Sequence, residues 1–158
     1  MILIRPLLSI DRAAILEILS SKNIFTQQEL EVAAELIDTT LSCPEKGEYL
    51  ISCAVDSNDR VAGYICYGEI PMTEGRYDLY WIAVDNRFSR QGVGKMLLDF
   101  MEGQLRNKNG KRVYIDTSST PNYLAARSFY EKNGYNIVCI LEDFYRIADH
   151  KIIFMKKL

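Results

Sequence analysis

Tyr77–Lys95 reads YDLYWIAVDNRFSRQGVGK, and the rest of the chain is arranged around it. Tyr77–Val84 is strand-like, rich in aromatic and β-branched residues, with Asp78 its one charge. Asp85–Ser89 is a polar turn. Gln91-Gly92-Val93-Gly94 is a glycine loop that opens into a helix-like run from Gly94 to about Arg106. A strand, a glycine turn and a helix N-terminus in that order form an anion site. Small residues let a ligand approach the backbone, the first N–H groups of the helix have no intrahelical acceptor, and the helix dipole adds positive charge.

Two well-known glycine loops do not fit. A phosphate loop of NTPases needs Gly-Lys-Ser/Thr, but Gly94-Lys95 is followed by Met96, which cannot hold magnesium. A dinucleotide fingerprint needs a third glycine where Leu97 stands, in an early βαβ unit, whereas this loop lies past mid-chain. A plain tight turn at a helix start remains open on spacing alone.

Outward from this stretch, Met1–Pro6 reads as an edge strand. Ser9 or Asp11 can cap a helix to about Ser20, and Thr26 with Glu29 forms a capping box for a second helix with an apolar stripe of Leu30, Ala33, Ala34, Ile37 and Leu41. Tyr49–Val55 and Arg60–Tyr67 are strands joined by Asp56–Asp59, a hairpin turn composition. After the central strand and helix come a strand at Arg112–Thr117, a helix at Pro121–Asn133, and strands at Tyr135–Leu141 and Lys151–Lys156 joined through Asp143–His150. The expected order is β-α-α-β-β-β-α-β-α-β-β. That is one α/β domain over residues 1–158, with a mixed, mostly antiparallel twisted sheet and helices on both faces. Period-two alternation places Asp78, Tyr80, Ile82 and Val84 on one face of their strand.

Composition narrows the function classes. A net charge of −2 argues against nucleic acid as a main partner. The N-terminal MILIRPLLSIDR has no apolar run long enough for a signal or a membrane span, so no membrane partner is expected. One histidine and four scattered cysteines argue against a zinc site, and Cys53, Cys66 and Cys139 in apolar runs read as buried free thiols. A reducing, cytoplasmic setting is the expectation.

Trp81-Ile82-Ala83-Val84 followed by Arg90-Gln91-Gly92-Val93-Gly94-Lys95-Met96-Leu97-Leu98 resembles the acyl-CoA-binding core of the GNAT family of N-acetyltransferases. Both signature glycines are present, and Ser89 stands where the family has Gln or Arg, with Arg90 one place later. A second stretch, AARSFYEKNGY, matches the family at Ala126, Phe129, Tyr130, Gly134 and Tyr135. Tyr123 holds the family's asparagine slot and Asn122 lies next to it.

The resemblance implies an N-acetyltransferase with acetyl-CoA as cosubstrate, no metal, and a primary amine on a small molecule or peptide as acceptor. It implies that Arg90, Gln91, Gly92, Val93, Gly94 and Lys95 cradle the pyrophosphate, with Asn122 as a further contact. The backbones of Ile82, Ala83 and Val84 would hold the pantetheine arm, and Tyr130 would protonate the leaving thiolate. Asp78 takes the place of a general-base glutamate found in some members. Glu69 and water alone are its rivals. The chemistry fits: a protonated amine is no nucleophile, the oxyanion needs donors, and the thiolate benefits from a proton. Family resemblance also implies a homodimer through the late strands or exposed helices. The alternative is a non-catalytic acyl-CoA-binding sensor or subunit.

Overall fold

The computed structural model describes all 158 residues. The elements run β1 (Leu3–Pro6), α1 (Asp11–Ser21), α2 (Gln27–Ser42), β2 (Leu50–Val55), β3 (Val61–Glu69), β4 (Arg76–Val84), α3 (Val93–Asn107), β5 (Arg112–Ser118), α4 (Leu124–Lys132), β6 (Asn136–Arg146) and β7 (Asp149–Lys157). One seven-stranded sheet has the order β1-β2-β3-β4-β5-β7-β6, and only β4 and β5 pair in parallel, across the α3 crossover. This is the expected order, with β1 at one edge. No helix is long and apolar enough to cross a membrane.

Each face of the sheet carries a core. On one, Val93, Leu97, Leu98, Met101 and Leu105 of α3 pack with Leu79, Val113, Ile115, Ile152 and Phe154. On the other, Ile15, Ile18 and Leu19 of α1 and Ala33 and Ile37 of α2 pack with Ile51, Cys53, Tyr64 and Cys66. The spacing of three and four that marks these helices in the sequence is the spacing they bury. The Thr26 capping box forms: the Thr26 hydroxyl accepts from Glu29 N and Glu29 accepts from Thr26 N. α1 differs from expectation. Neither Ser9 nor Asp11 is its N-cap. Asp11 is its buried first residue, accepting from Leu8 N at 2.8 Å and bonding the Arg5 guanidinium, which pins α1 to β1.

The far end of α3 is fixed by a buried charge cluster. Glu102 accepts from the Tyr135 hydroxyl at 3.0 Å and from Lys156 Nζ at 2.8 Å, and Arg106 lies at 3.2 Å. Glu102→Ala strips the acceptor from a largely buried lysine and a buried phenol. It is expected to destabilise the fold by about 3–5 kcal/mol, read as a lower urea midpoint at unchanged slope.

Two irregularities in β4 position the site. The register with β3 shifts between Cys66 and Tyr67: Cys66 faces Trp81 and Tyr67 faces Leu79, leaving Tyr80 as a bulge. The alternation therefore changes phase. Tyr77 and Leu79 lie in the α3-side core, and Ile82 and Val84 pack against that same core, while Trp81 and Ala83 pack with the α1 and α2 core. The expectation that Asp78 shares a face with Ile82 and Val84 is thus overturned, because one extra residue reverses every side chain after it. The second irregularity is the short β4–β5 ladder, which ends at Asp78↔Tyr114. Beyond it β4 stays paired with β3 and β5 with β7, so the two strands diverge with an opening between them.

At the other end of the sheet, β6 runs to Arg146 and the turn to β7 is only Ile147-Ala148, not the loop over Asp143–His150 expected from the sequence. A register shift between Leu141 and Arg146 lets Phe144 and Tyr145 stand out from the strand.

Candidate functional site

The site is built where β4 and β5 part. Ile82, Ala83 and Val84 lie beyond the last β4–β5 pair, so the β4 edge toward β5 has no sheet partner there. An unpaired strand edge presents N–H and C=O groups to any extended chain that enters, which suits an arm with amides.

At the end of β4, Asp85 accepts from Arg87 N at 2.8 Å and caps a short 3-10 turn, while its own N–H bonds Ala62 O. The loop then turns through left-handed conformations at Arg90 (φ 61°) and Gly92 (φ 80°), and Gly92 is the N-cap of α3. The N–H groups of Gln91, Gly92, Val93, Gly94 and Lys95 donate to no other group of the chain. The first one engaged is Met96 N, on Gly92 O. The first turn of α3 carries no acidic residue. A run of free donors at the positive end of a helix favours an anion such as a pyrophosphate. At Gly94 a Cβ would stand 3.4 Å from the Phe129 ring and 3.6 Å from Val84 Cγ2, so α3, α4 and β4 converge there.

The loop's side chains contribute less than its backbone. Gln91 Nε2 donates to Arg87 O at 3.1 Å, Lys95 Nζ pairs with Asp99 at 2.5 Å, and Arg90 is exposed. The structure thus brings Ile82–Val84 and Gln91–Lys95 together, with the Lys95 side chain turned along its own helix.

Tyr130 lies in the α3-side core at 8% exposure, its ring 5.8 Å from Phe129, 6.3 Å from Tyr135 and 5.7 Å from Phe154. Its hydroxyl bonds no group of the chain and is not among the sealed polar atoms. Burial pushes its pKa up to about 12, so the phenol keeps its proton at neutral pH.

Asn122 is exposed and makes no hydrogen bond within the chain. Its neighbour Tyr123 turns toward α2 instead. The Tyr123 hydroxyl donates to Glu29 Oε1 at 3.3 Å, while Glu29 Oε2 serves the capping box. Phe25 stands edge-on to both Tyr123 and Trp81, at 6.4 Å and 5.2 Å. The loop between α1 and α2 is thereby fastened across one side of the opening.

On that same side lies Asp78. Tyr77 and Leu79 point into the α3-side core, so Asp78 points away from it. No group of the chain hydrogen-bonds its carboxyl, and burial first, then the charge of Asp116, raise its pKa above the usual carboxylate range, while Lys151 opposes them. A half-buried carboxylate with raised proton affinity is a stronger base than an exposed one. Glu69 is exposed opposite Tyr77, on the side of Asp78 away from the opening.

Sequence reasoning missed Asp116, Lys151 and the Tyr123–Glu29 bond. The alternation in Val113-Tyr114-Ile115-Asp116 held a signal for Asp116, since it puts a second carboxylate on the face opposite the apolar residues. The other two depend on contacts far apart in the chain.

Comparison with known proteins follows the same line. The model of the acetyltransferase (GNAT) family matches residues 12–135. A crystal structure from Desulfovibrio desulfuricans, assigned to the GNAT acetyltransferases, is 35% identical, covers 99% of both chains and superposes with a TM-score of 0.95. The [ribosomal protein bS18]-alanine N-acetyltransferase of Salmonella typhimurium is 27% identical over 103 residues, covering 65% of this chain and 66% of that one. An aminoglycoside 6'-N-acetyltransferase complexed with coenzyme A shares the fold at 18% identity and a TM-score of 0.76, over 98% of this chain and 96% of that one.

Proposed function

Since the chain belongs to the GNAT acetyltransferase family, we propose that it works as one catalytic domain over residues 1–158 that transfers acetyl directly inside a ternary complex. The reaction is acetyl transfer from acetyl-CoA to an amine. The observation that carries the reading is the row of free donors from Gln91 to Lys95 set beside the open edge of β4. The donors hold the pyrophosphate, and the edge at Ile82–Val84 holds the pantetheine amides, while Arg90 and Asn122 reach the cosubstrate from outside. Such binding supplies an activated thioester and leaves orientation and proton handling to the chain.

Tyr130 protonates the departing thiolate, and Asp78, through a water, takes the proton of the amine. The two buried cysteines offer no nucleophile for a covalent route. Burial pushes the thiols of Cys53 and Cys66 up to about 12, so neither is a thiolate at neutral pH. The acceptor is a primary amine presented on the aromatic side of the opening, past Trp81, Phe25 and Tyr145. The acceptors of two similar enzymes, an alanine of a ribosomal protein and an aminoglycoside, are the first candidates. Pairing of two copies would use β6, the outermost strand, where Ile137, Val138 and Ile140 are exposed.

Calorimetric titration with acetyl-CoA, with ATP and NAD as controls, tests the cosubstrate. An amine screen that includes alanyl peptides tests the transfer. Saturable binding of acetyl-CoA alone is the expected result, and no binding by folded protein overturns the reading.

Asp78→Asn is expected to lower kcat/KM about tenfold to a hundredfold at neutral pH, below the usual range for direct acid–base groups because a water intervenes. It leaves acetyl-CoA affinity unchanged. In the native protein activity falls as pH drops through the raised pKa of Asp78, because the base is lost when the carboxyl gains its proton. The Asn variant lacks that limb. Full activity in Asp78→Asn would hand the role to water.

A further inference from the structure

Asp116 and Lys151 stand beside Asp78 with no part yet in the transfer. Asp78 faces Tyr114 in the last β4–β5 pair, and Asp116 is two residues further along β5 on the same face. Both carboxylates point away from the α3-side core, because Tyr77, Leu79, Val113 and Ile115 fill it. Lys151 enters from β7 opposite Ser118, and its neighbour Ile152 belongs to that core, so Lys151 points to the same face. Its Nζ bonds Asp116 Oδ2 at 2.5 Å and lies 4.7 Å from the centre of the Phe144 ring.

We infer that the Asp116–Lys151 ion pair is a positioning pair for the acetyl transfer, fixing one carboxylate and one ammonium beside Asp78 so that Asp78 alone exchanges a proton with the acceptor amine. This rests on the reading of Asp78 as the base.

The physical reason is charge. Two neighbouring carboxylates disfavour each other's ionised form. The ammonium relieves this, and the geometry assigns it to Asp116: the Lys151 side chain is 20% exposed, held by a carboxylate on one side and an aromatic face on another. Asp78, left without a partner, keeps a free lone pair toward the opening. The groups facing this spot are Tyr80 from its own strand, Tyr114 and Asp116 from β5, and Lys151 from β7, while Tyr145 of β6 lies beside Lys151. β3 contributes Gly68, which carries no charge. Asp116 and Lys151 are thus the charges that can set the proton affinity of Asp78.

The test is the titration midpoint of the Asp78 carboxyl, followed by NMR in the 158-residue chain with labelled aspartate and assigned with Asp78→Asn. Lys151→Met removes the cation, so Asp78 holds its proton more tightly and its midpoint rises. Asp116→Asn removes the competing anion and leaves the ammonium unopposed, so the midpoint falls. Each shift is expected at about one pH unit, a tenfold change in the ratio of deprotonated to protonated Asp78 at a given pH. The double variant and Lys151→Arg should both stay near the native midpoint, and the arginine variant also guards against damage to folding. Unmoved midpoints in both single variants overturn the inference even where Asp78→Asn is inactive. Loss of all turnover in Asp116→Asn, with the Asp78 midpoint shifted downward, also overturns it, by making Asp116 itself the base. Full activity in Asp78→Asn removes the base reading, and with it the pair's role in transfer.

Discussion

Gly92→Glu is expected to weaken acetyl-CoA binding by at least about a hundredfold while the protein stays folded. The loop is held mostly by its backbone, so the change acts at the place where the phosphates would lie. Gly92 sits at φ 80°, a conformation that costs an L residue roughly 1–2 kcal/mol. A Cβ there meets nothing within 4 Å, so the fold accepts the side chain. The carboxylate then stands at the N-cap of α3 and competes for the free donors of Gln91–Lys95. It also repels an incoming phosphate. Gly92→Ala carries the strain without the charge, and its smaller loss of affinity separates the two causes. Calorimetry reads the affinity and thermal melting reads the fold. Native affinity in the glutamate variant would mean that the anion binds elsewhere.

Tyr130→Phe is expected to lower kcat by about a hundredfold to a thousandfold, within the range of a positioned general acid. The affinity for acetyl-CoA should change little. The substitution keeps the ring that packs on Phe129, Tyr135 and Phe154, and the hydroxyl it removes bonds nothing in the chain, so stability should also hold. A fall in kcat with unchanged binding and melting temperature is the mark of a group used only in the transition state. Equal kcat in the variant would reduce Tyr130 to a packing residue and give the thiolate its proton from solvent.

Some of this site is legible in the sequence. The two glycines, with a strand before them and an apolar-periodic run after, require a turn that leaves donors free. That is local chemistry, and Gly92 and the N-terminus of α3 bear it out. The Thr26–Glu29 box is likewise local and forms as expected. Lys95 shows the limit of that reasoning. It stands in the glycine loop's own helix start, yet its side chain bonds Asp99. A side chain's direction depends on which neighbours reach it first.

Asp78 marks the boundary most sharply. Its place near the end of a strand could be read from sequence, but its face relative to Ile82 could not, because the bulge at Tyr80 is set by register with β3. The order of elements, the two amphipathic helical layers and the glycine turn follow from the residues alone, since propensity, periodicity and glycine geometry act over a few neighbours. The place where β4 and β5 part, the direction of Asp78, and the gathering of Asp116, Lys151 and Phe144 beside it come from the assembled sheet. Those depend on pairing between strands distant in the chain, where a shift of one residue turns every following side chain to the other face.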